Sequence, residues 1–355
     1  MAINLMHKYR GKLTEALEYA SVLSGKTSNE YEWNGVEEIR LTSIKTVPLT
    51  DYNRATTGTG NRFGGQNEVQ DEQQYLKLQK DRSVALTIDK GNYQEGMLLK
   101  KAGAVIKDEL NEQVKPELEQ FALDQWAKNA GQYAAITDDD NGSAILIDLM
   151  KIEAAFKNAR IPNGERFAAV DANLMPYIRS ALTNCDTVTD KMLLRGVVGR
   201  IGTLNIVEVP HGDMPTNCWV LAWQKRSVVD PKTITDADVH EKPENLSGVL
   251  INMRYRYGAF VIGKYAMGVF ALLAASSQAT AVTPSAARVL DLNSGDTVKY
   301  TLDGSDPRYS TTAVTVVADT TISSTAAPVG TTIKAVTYNS AKAYPSDVKS
   351  VVVAS

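Results

Sequence analysis

Residues 51–66 read Asp-Tyr-Asn-Arg-Ala-Thr-Thr-Gly-Thr-Gly-Asn-Arg-Phe-Gly-Gly-Gln, and the polar, charge-balanced run continues to Lys80. This stretch is too polar to bury a core of its own. It is also longer than the roughly 12–15 residues that loops without internal structure tend to reach in compact domains, where such loops usually serve a function. The flanks are strand-like. Residues 37–47 mix β-branched and polar residues and then meet Pro48, while 83–89 place Val84, Leu86 and Ile88 on one face. We expect an extended β-hairpin whose return strand is 83–89 and whose tip reaches away from its own domain towards a neighbouring subunit.

The next signal has a different period. Ala102, Ile106, Leu110, Val114, Leu118 and Ala122 recur every fourth residue, and Leu99, Val105, Phe121 and Trp126 widen the stripe. One apolar stripe with charges opposite predicts a long helix over 93–130 lying on a sheet or another helix. Pro116 should kink or divide it. Further on, 145–159 and 173–181 read as helices, the first capped by Ser143. Residues 166–170 read as a short buried strand and 197–209 as a strand pair. Residues 248–257 alternate cleanly, with Val249, Ile251, Met253, Tyr255 and Tyr257 on one face. Residues 258–275 are apolar, but Lys264 and three glycines argue for buried sheet over a membrane span. The N-terminal stretch 1–24 reads as a short amphipathic helix, with no apolar run long enough for a signal peptide.

After Ala275 the composition shifts to Thr, Val, Ser and Ala. Residues 276–284 suit a linker. Beyond them, strands at 298–302, 313–317, 332–338 and 348–353 predict a small β-sandwich.

At 355 residues the chain should hold two or three domains. A net charge of −3 argues against a dedicated nucleic-acid binder, which usually carries a basic domain. Cys185 and Cys218 are too few for a disulfide framework and read as reduced thiols. The three histidines, His7, His211 and His240, sit near no motif. No nucleophile elbow, phosphate loop or zinc spacing occurs. Asp138–Ser143 fails the spacing of a calcium loop, and Asp303-Gly304-Ser305-Asp306 reads as a hairpin turn held by Asp and Gly. No enzyme activity, cofactor or metal is expected. The charges of the loop, Asp51, Arg54, Arg62, Lys77, Lys80 and Arg82, are read with Phe63 as candidate contacts to a neighbouring subunit, where ion pairs set register more than affinity.

This order of elements (arm, long hairpin loop, long helix, α/β insertion, closing strand) resembles the Hong Kong 97-type major capsid protein of tailed bacteriophages over residues 1–275. Residues 164–171 with the helix after them, and Leu204–Pro210, look like that family's axial domain. Separately, Val298–Pro307 resembles the Y-T-x-D-G-S-x-P signature of the chitobiase C-terminal, immunoglobulin-like module. The resemblance implies an α+β fold. Residues 1–30 would be the N-terminal arm, 51–82 the extended loop and 142–235 the axial domain. The peripheral domain would gather 31–50, 83–141 with its spine helix, and 236–275. A linker at 276–284 would lead to an outward-facing immunoglobulin-like module at 285–355.

The function so implied is self-assembly into hexamers and pentamers of an icosahedral head around non-specifically packaged double-stranded DNA. The protein would be made in the host cytoplasm and end in the virion. A separate scaffolding protein and a portal would be partners, with no membrane, and the module would be free to touch glycans or host surfaces. Two alternatives stay open: a secreted glycan-binding or glycan-cleaving protein, and an encapsulin-like compartment shell.

Overall fold

A computed structural model describes residues 21–31, 33, 38–44, 46, 49, 51–52, 54, 62–63, 68–69, 71–89, 102–183, 199–240 and 248–354. The expected N-terminal helix up to residue 20, residues 93–101 of the long helix, most of the loop tip and Cys185 lie outside them.

Strands β1 (Glu38–Ile44), β2 (Asp71–Lys77) and β3 (Lys80–Asp89) come first, and the long helix follows. Then come β4 (Gln132–Ala135), β5 (Arg166–Asp171), β6 (Arg200–Ile201), β7 (Leu204–Val209) and β8 (Cys218–Gln224). They are followed by β9 (Val228–Val229), β10 (Lys232–His240), β11 (Gly248–Tyr257), β12 (Phe260–Val261) and β13 (Val269–Leu273). The C-terminal part contributes β14 (Val289–Leu290), β15 (Asp296–Thr301), β16 (Val314–Val316), β17 (Thr320–Thr321), β18 (Thr332–Asn339) and β19 (Lys349–Val352). The chain divides into two compact units. One comprises Met1–Glu37, Leu78–Val261 and Met267–Ala274; the other comprises Glu38–Lys77, Ile262–Ala266 and Ala275–Ser355.

In the first unit the alternation seen in sequence becomes a helix seat. β11 pairs antiparallel with β3 on one side and β10 on the other. Ile251, Met253, Tyr255 and Tyr257 of β11 and Ile88 of β3 turn one buried face to Val105, Ile106, Leu110, Val114, Leu118 and Phe121 of the helix. The helix runs from Ala102 to Lys128 without stopping at Pro116, because Leu110–Val114 widen into a π-turn just before it. A wider turn relieves the clash between the proline ring and the preceding carbonyls that would otherwise break the ladder.

The larger sheet of this unit has six strands in the order β4-β13-β8-β5-β7-β6. β5 runs parallel to β7 and antiparallel to β8, while β13 is antiparallel to β8 and parallel to β4. Helix Gly142–Asn158 buries Ile145, Leu149, Ile152 and Phe156 against Ala168, Val170, Val220 and Phe270. Its cap is Asn141, not Ser143: the Asn141 carboxamide oxygen accepts from the Ser143 and Ala144 amides at 3.1 and 3.4 Å. β13 is an interior strand of this sheet.

Asp148 on that helix is 2% exposed. Burial works against its charge, but Lys151 and the amide and hydroxyl of Thr137 donate to it, and together they hold its carboxyl below the usual range. A carboxyl whose pKa is lower in the folded than in the unfolded state adds stability above its unfolded pKa of about 3.9 and loses it as pH falls towards the folded value. Asp148→Asn should therefore lower the melting temperature at pH 7 and shrink the acid-induced drop below pH 4. Thermal scans of both proteins across pH 2–7 check this, and parallel pH curves would contradict it.

In the second unit β1 and β2 form the hairpin arm, in register from Glu38 opposite Lys77 to Ile44 opposite Asp71. The return strand is thus 71–77 and not 83–89, because β3 spends its hydrogen bonds on β11. The remainder is a small β-structure: sheet β16-β15-β18-β19 and pair β14-β17 around Leu290, Val298, Ile322, Ile333 and Ala335. The signature turn is built as the sequence indicates. Asp303 accepts from the Ser305 amide at 3.0 Å, and Gly304 adopts φ +74°. Residues 276–284 are not a free tether. Val282 belongs to this core, its amide donates to Thr337 Oγ1 at 2.9 Å, and the Ala279 amide donates to the Tyr344 carbonyl at 3.0 Å.

Candidate functional site

Among the described residues, exposed large apolar side chains concentrate on the arm. Ile44, Leu49, Tyr52, Phe63, Val69 and Tyr75 are all exposed, six of the sixteen exposed large apolar side chains among the described residues. Singly scattered exposed apolar residues need no explanation, whereas such a concentration on one segment does. Phe63 is 75% exposed and meets Tyr52 edge-to-face, with ring centroids 5.0 Å apart. The candidate charges Asp51, Arg54 and Arg62 stand exposed along the same segment. Lys77 closes β2 opposite Glu38.

Lys80 and Arg82 behave differently. They open β3 in the first unit and face their own helix. Arg82 Nε lies 3.0 Å from Glu117 Oε1, and the Lys80 ammonium sits 5.8 Å from the Phe121 ring centroid. The Tyr257 hydroxyl donates to Glu117 at 2.7 Å, and burial pushes that hydroxyl up to about 12. Phe121 and Tyr257 meet edge-to-face at 5.3 Å. These side chains line a cleft of about 270 Å³ that also takes in Met214 and Thr216. Beside it, Asp81 receives both Arg254 donors at 2.9 and 2.6 Å; these bonds hold its carboxyl below the usual range. Two charges expected to reach a neighbour, Lys80 and Arg82, therefore have partners within their own unit.

One pairing was not visible in the sequence. His211 Nδ1 lies 2.5 Å from Asp171 Oδ2, the imidazole exposed and the carboxylate buried. Asp171 also accepts from the Asn173 amide at 2.8 Å, so the pair orders the turn after β5. Cys218 is buried, and desolvation pushes its thiol far up. Among the described residues no group of three or more His, Cys, Asp or Glu is placed to hold a metal ion. No described helix is long and apolar enough to cross a membrane. What these residues present is an exposed, charge-flanked arm and a polar cleft beside the helix.

Neither a protein-family model nor a curated protein matches the sequence. Solved structures do match in shape. A chain from Mycobacterium phage Che8 superposes with a TM-score of 0.64 at 16% identity, covering 76% of this chain and 96% of that one. The capsid structure of the cyanophage P-SCSP1u gives 0.61 at 13% identity, over 77% of this chain and 93% of that one. The mature capsid of bacteriophage PhiM1 gives 0.58 at 12% identity, over the same shares. With so little identity the likeness is one of backbone path alone: this chain has an α+β fold shared with phage capsid proteins.

Proposed function

We propose that the chain is an HK97-type major capsid protein that assembles into the hexamers and pentamers of an icosahedral phage head. One observation carries this reading: almost the whole length of phage capsid chains, 93–96%, is matched by this chain at 16% identity or less. The arm supports it, because the apolar side chains it leaves exposed, Tyr52 and Phe63 among them, would be covered by a partner. In a shell the cover is an adjacent copy, reached by Tyr52 and Phe63 with Asp51, Arg54, Arg62 and Lys77 setting register. Lys80 and Arg82 then belong to the receiving surface beside the helix. Residues 1–30 serve as the N-terminal arm, 142–235 as the axial domain and 285–355 as an immunoglobulin-like module. About a quarter of this chain lies outside the capsid match.

The work is mechanical and needs no catalysis. A net charge of −3 suits a wall around double-stranded DNA, since a strongly basic lining would hold DNA too tightly for packaging and release. A separate scaffolding protein and a portal complete the assembly, and the finished protein resides in the virion. Expression of the full chain, alone and with a co-expressed scaffold, followed by negative-stain microscopy, tests the proposal. Closed shells are expected. A chain that stays monomeric at every concentration and salt, with and without scaffold, overturns it.

A further inference from the structure

The C-terminal residues and the root of the arm fall in one compact unit, and a glycine lies at their meeting point. Gly263 opens a short turn whose Tyr265 amide closes back on the Ile262 carbonyl at 2.9 Å. The Gly263 amide donates to the Gln74 side chain of β2 at 2.8 Å. On its other side stands Tyr309. A Cβ at position 263 would lie 2.9 Å from Tyr309 Cβ and 3.2 Å from its Cγ. No residue but glycine fits between them without displacing one.

Tyr309 is itself held. It follows directly on the signature turn, where Arg308 forms an ion pair with Asp306 at 2.7 Å and its guanidinium lies 5.4 Å from the Tyr309 ring centroid. Burial raises the Tyr309 hydroxyl well above the ordinary phenol range. On the arm side, Leu76 shares Gln74's face of β2 and is 1% exposed. The connection to the module is equally firm. Lys342 Nζ donates to the Ser276 carbonyl at 2.7 Å, the Tyr344 amide to the Ser277 carbonyl at 3.2 Å, and Gln278 bridges to Tyr344.

From this we infer that the C-terminal module is a brace: Tyr309 of the module and Gln74 of the arm, meeting across Gly263, hold the root of the hairpin against the C-terminal part of the same unit. A module on a loose tether could only display a ligand-binding surface. A module zippered to the chain at 276–279 and pressed against the arm root carries load. The inference rests on the capsid reading only for its consequence in a shell, where the pitch of the arm sets the geometry between neighbouring copies.

Hydrogen exchange on the unassembled full-length chain tests the brace without requiring shells. Gln74→Ala and Gly263→Val should each raise exchange across Glu38–Ile44 and Asp71–Lys77 by about tenfold or more, since a segment that loses its anchoring contacts opens locally at low cost. Exchange in β5, β8 and β18 should stay as in the parent chain. Tyr309→Ala should do the same; if it also unfolds β15 and β18, Gln74→Ala, which leaves the module intact, decides. Arm protection unchanged in both Gln74→Ala and Gly263→Val overturns the brace, whatever the shells do. If the parent chain forms shells, the same variants should yield particles of mixed size. Uniform particles from chains with a loosened arm would separate the brace from any role in assembly.

Discussion

Tyr52→Ser combined with Phe63→Ser is expected to raise the concentration needed for shell formation by a hundredfold or more while leaving the subunit folded. Both rings are exposed and touch each other, so their loss should cost the isolated chain little, within about 0.5 kcal/mol for surface positions. In a neighbour's groove the same rings would bury roughly 150–250 Å² each. At about 25 cal/mol per Å², that is on the order of 4 kcal/mol per ring before ordering costs are subtracted. Each 1.4 kcal/mol is a factor of ten, so even half that loss moves the assembly threshold by more than a hundredfold. Light scattering against concentration, with microscopy of the same samples, gives the threshold. Shells forming at the parent concentration would remove the arm from the contact and with it the role assigned to Tyr52 and Phe63.

The second large effect concerns stability. Arg166 is fully buried at the start of β5. Its guanidinium donates to the Pro162 carbonyl at 2.8 Å, to Thr203 Oγ1 at 3.0 Å and to the Ile161 carbonyl, and it lies 5.4 Å from the Phe156 ring centroid. Burial pulls its pKa down, with Glu153 opposing. One side chain thus ties the turn after helix Gly142–Asn158 to the β6–β7 turn. Arg166→Ala would leave two carbonyls without a partner and open a cavity, costing about 3–5 kcal/mol. Arg166→Met refills most of the volume but not the bonds, so it should lose less, on the order of 2 kcal/mol. Denaturant midpoints of the three proteins rank them. A loss below about 1 kcal/mol for the alanine variant would show that the carbonyls find other partners.

Several elements could be read directly from local pattern. The period-two run 248–257 and the four-residue stripe on the long helix each announce which face is buried, and both meet in one core. The module's strands and its Asp-Gly turn were equally plain, because turn chemistry is a property of four adjacent residues. β8, Cys-Trp-Val-Leu-Ala-Trp-Gln, passed unrecognised. It is an interior strand with almost every residue buried, so it shows no alternation by which to know it. The return strand of the arm was placed too late because 71–77 is rich in Gln and acidic residues, and nothing local says that 83–89 prefers a strand more than 150 residues away.

The candidate site divides the same way. That 51–80 is too polar to bury a core of its own and too long to be a simple turn followed from its composition. That Asp81 and Arg82 pair within their own unit, that His211 rests on Asp171, and that Arg166 is a buried tie followed from neighbours supplied by other elements. Composition and periodicity act between residues a few places apart, so the chain alone determined helices, most strands and the C-terminal β-rich part. Pairing, burial of charge and the contact of Tyr309 with Gly263 depend on surfaces brought together from distant stretches. Their energy exists only once the fold has closed, and only the tertiary structure decided them.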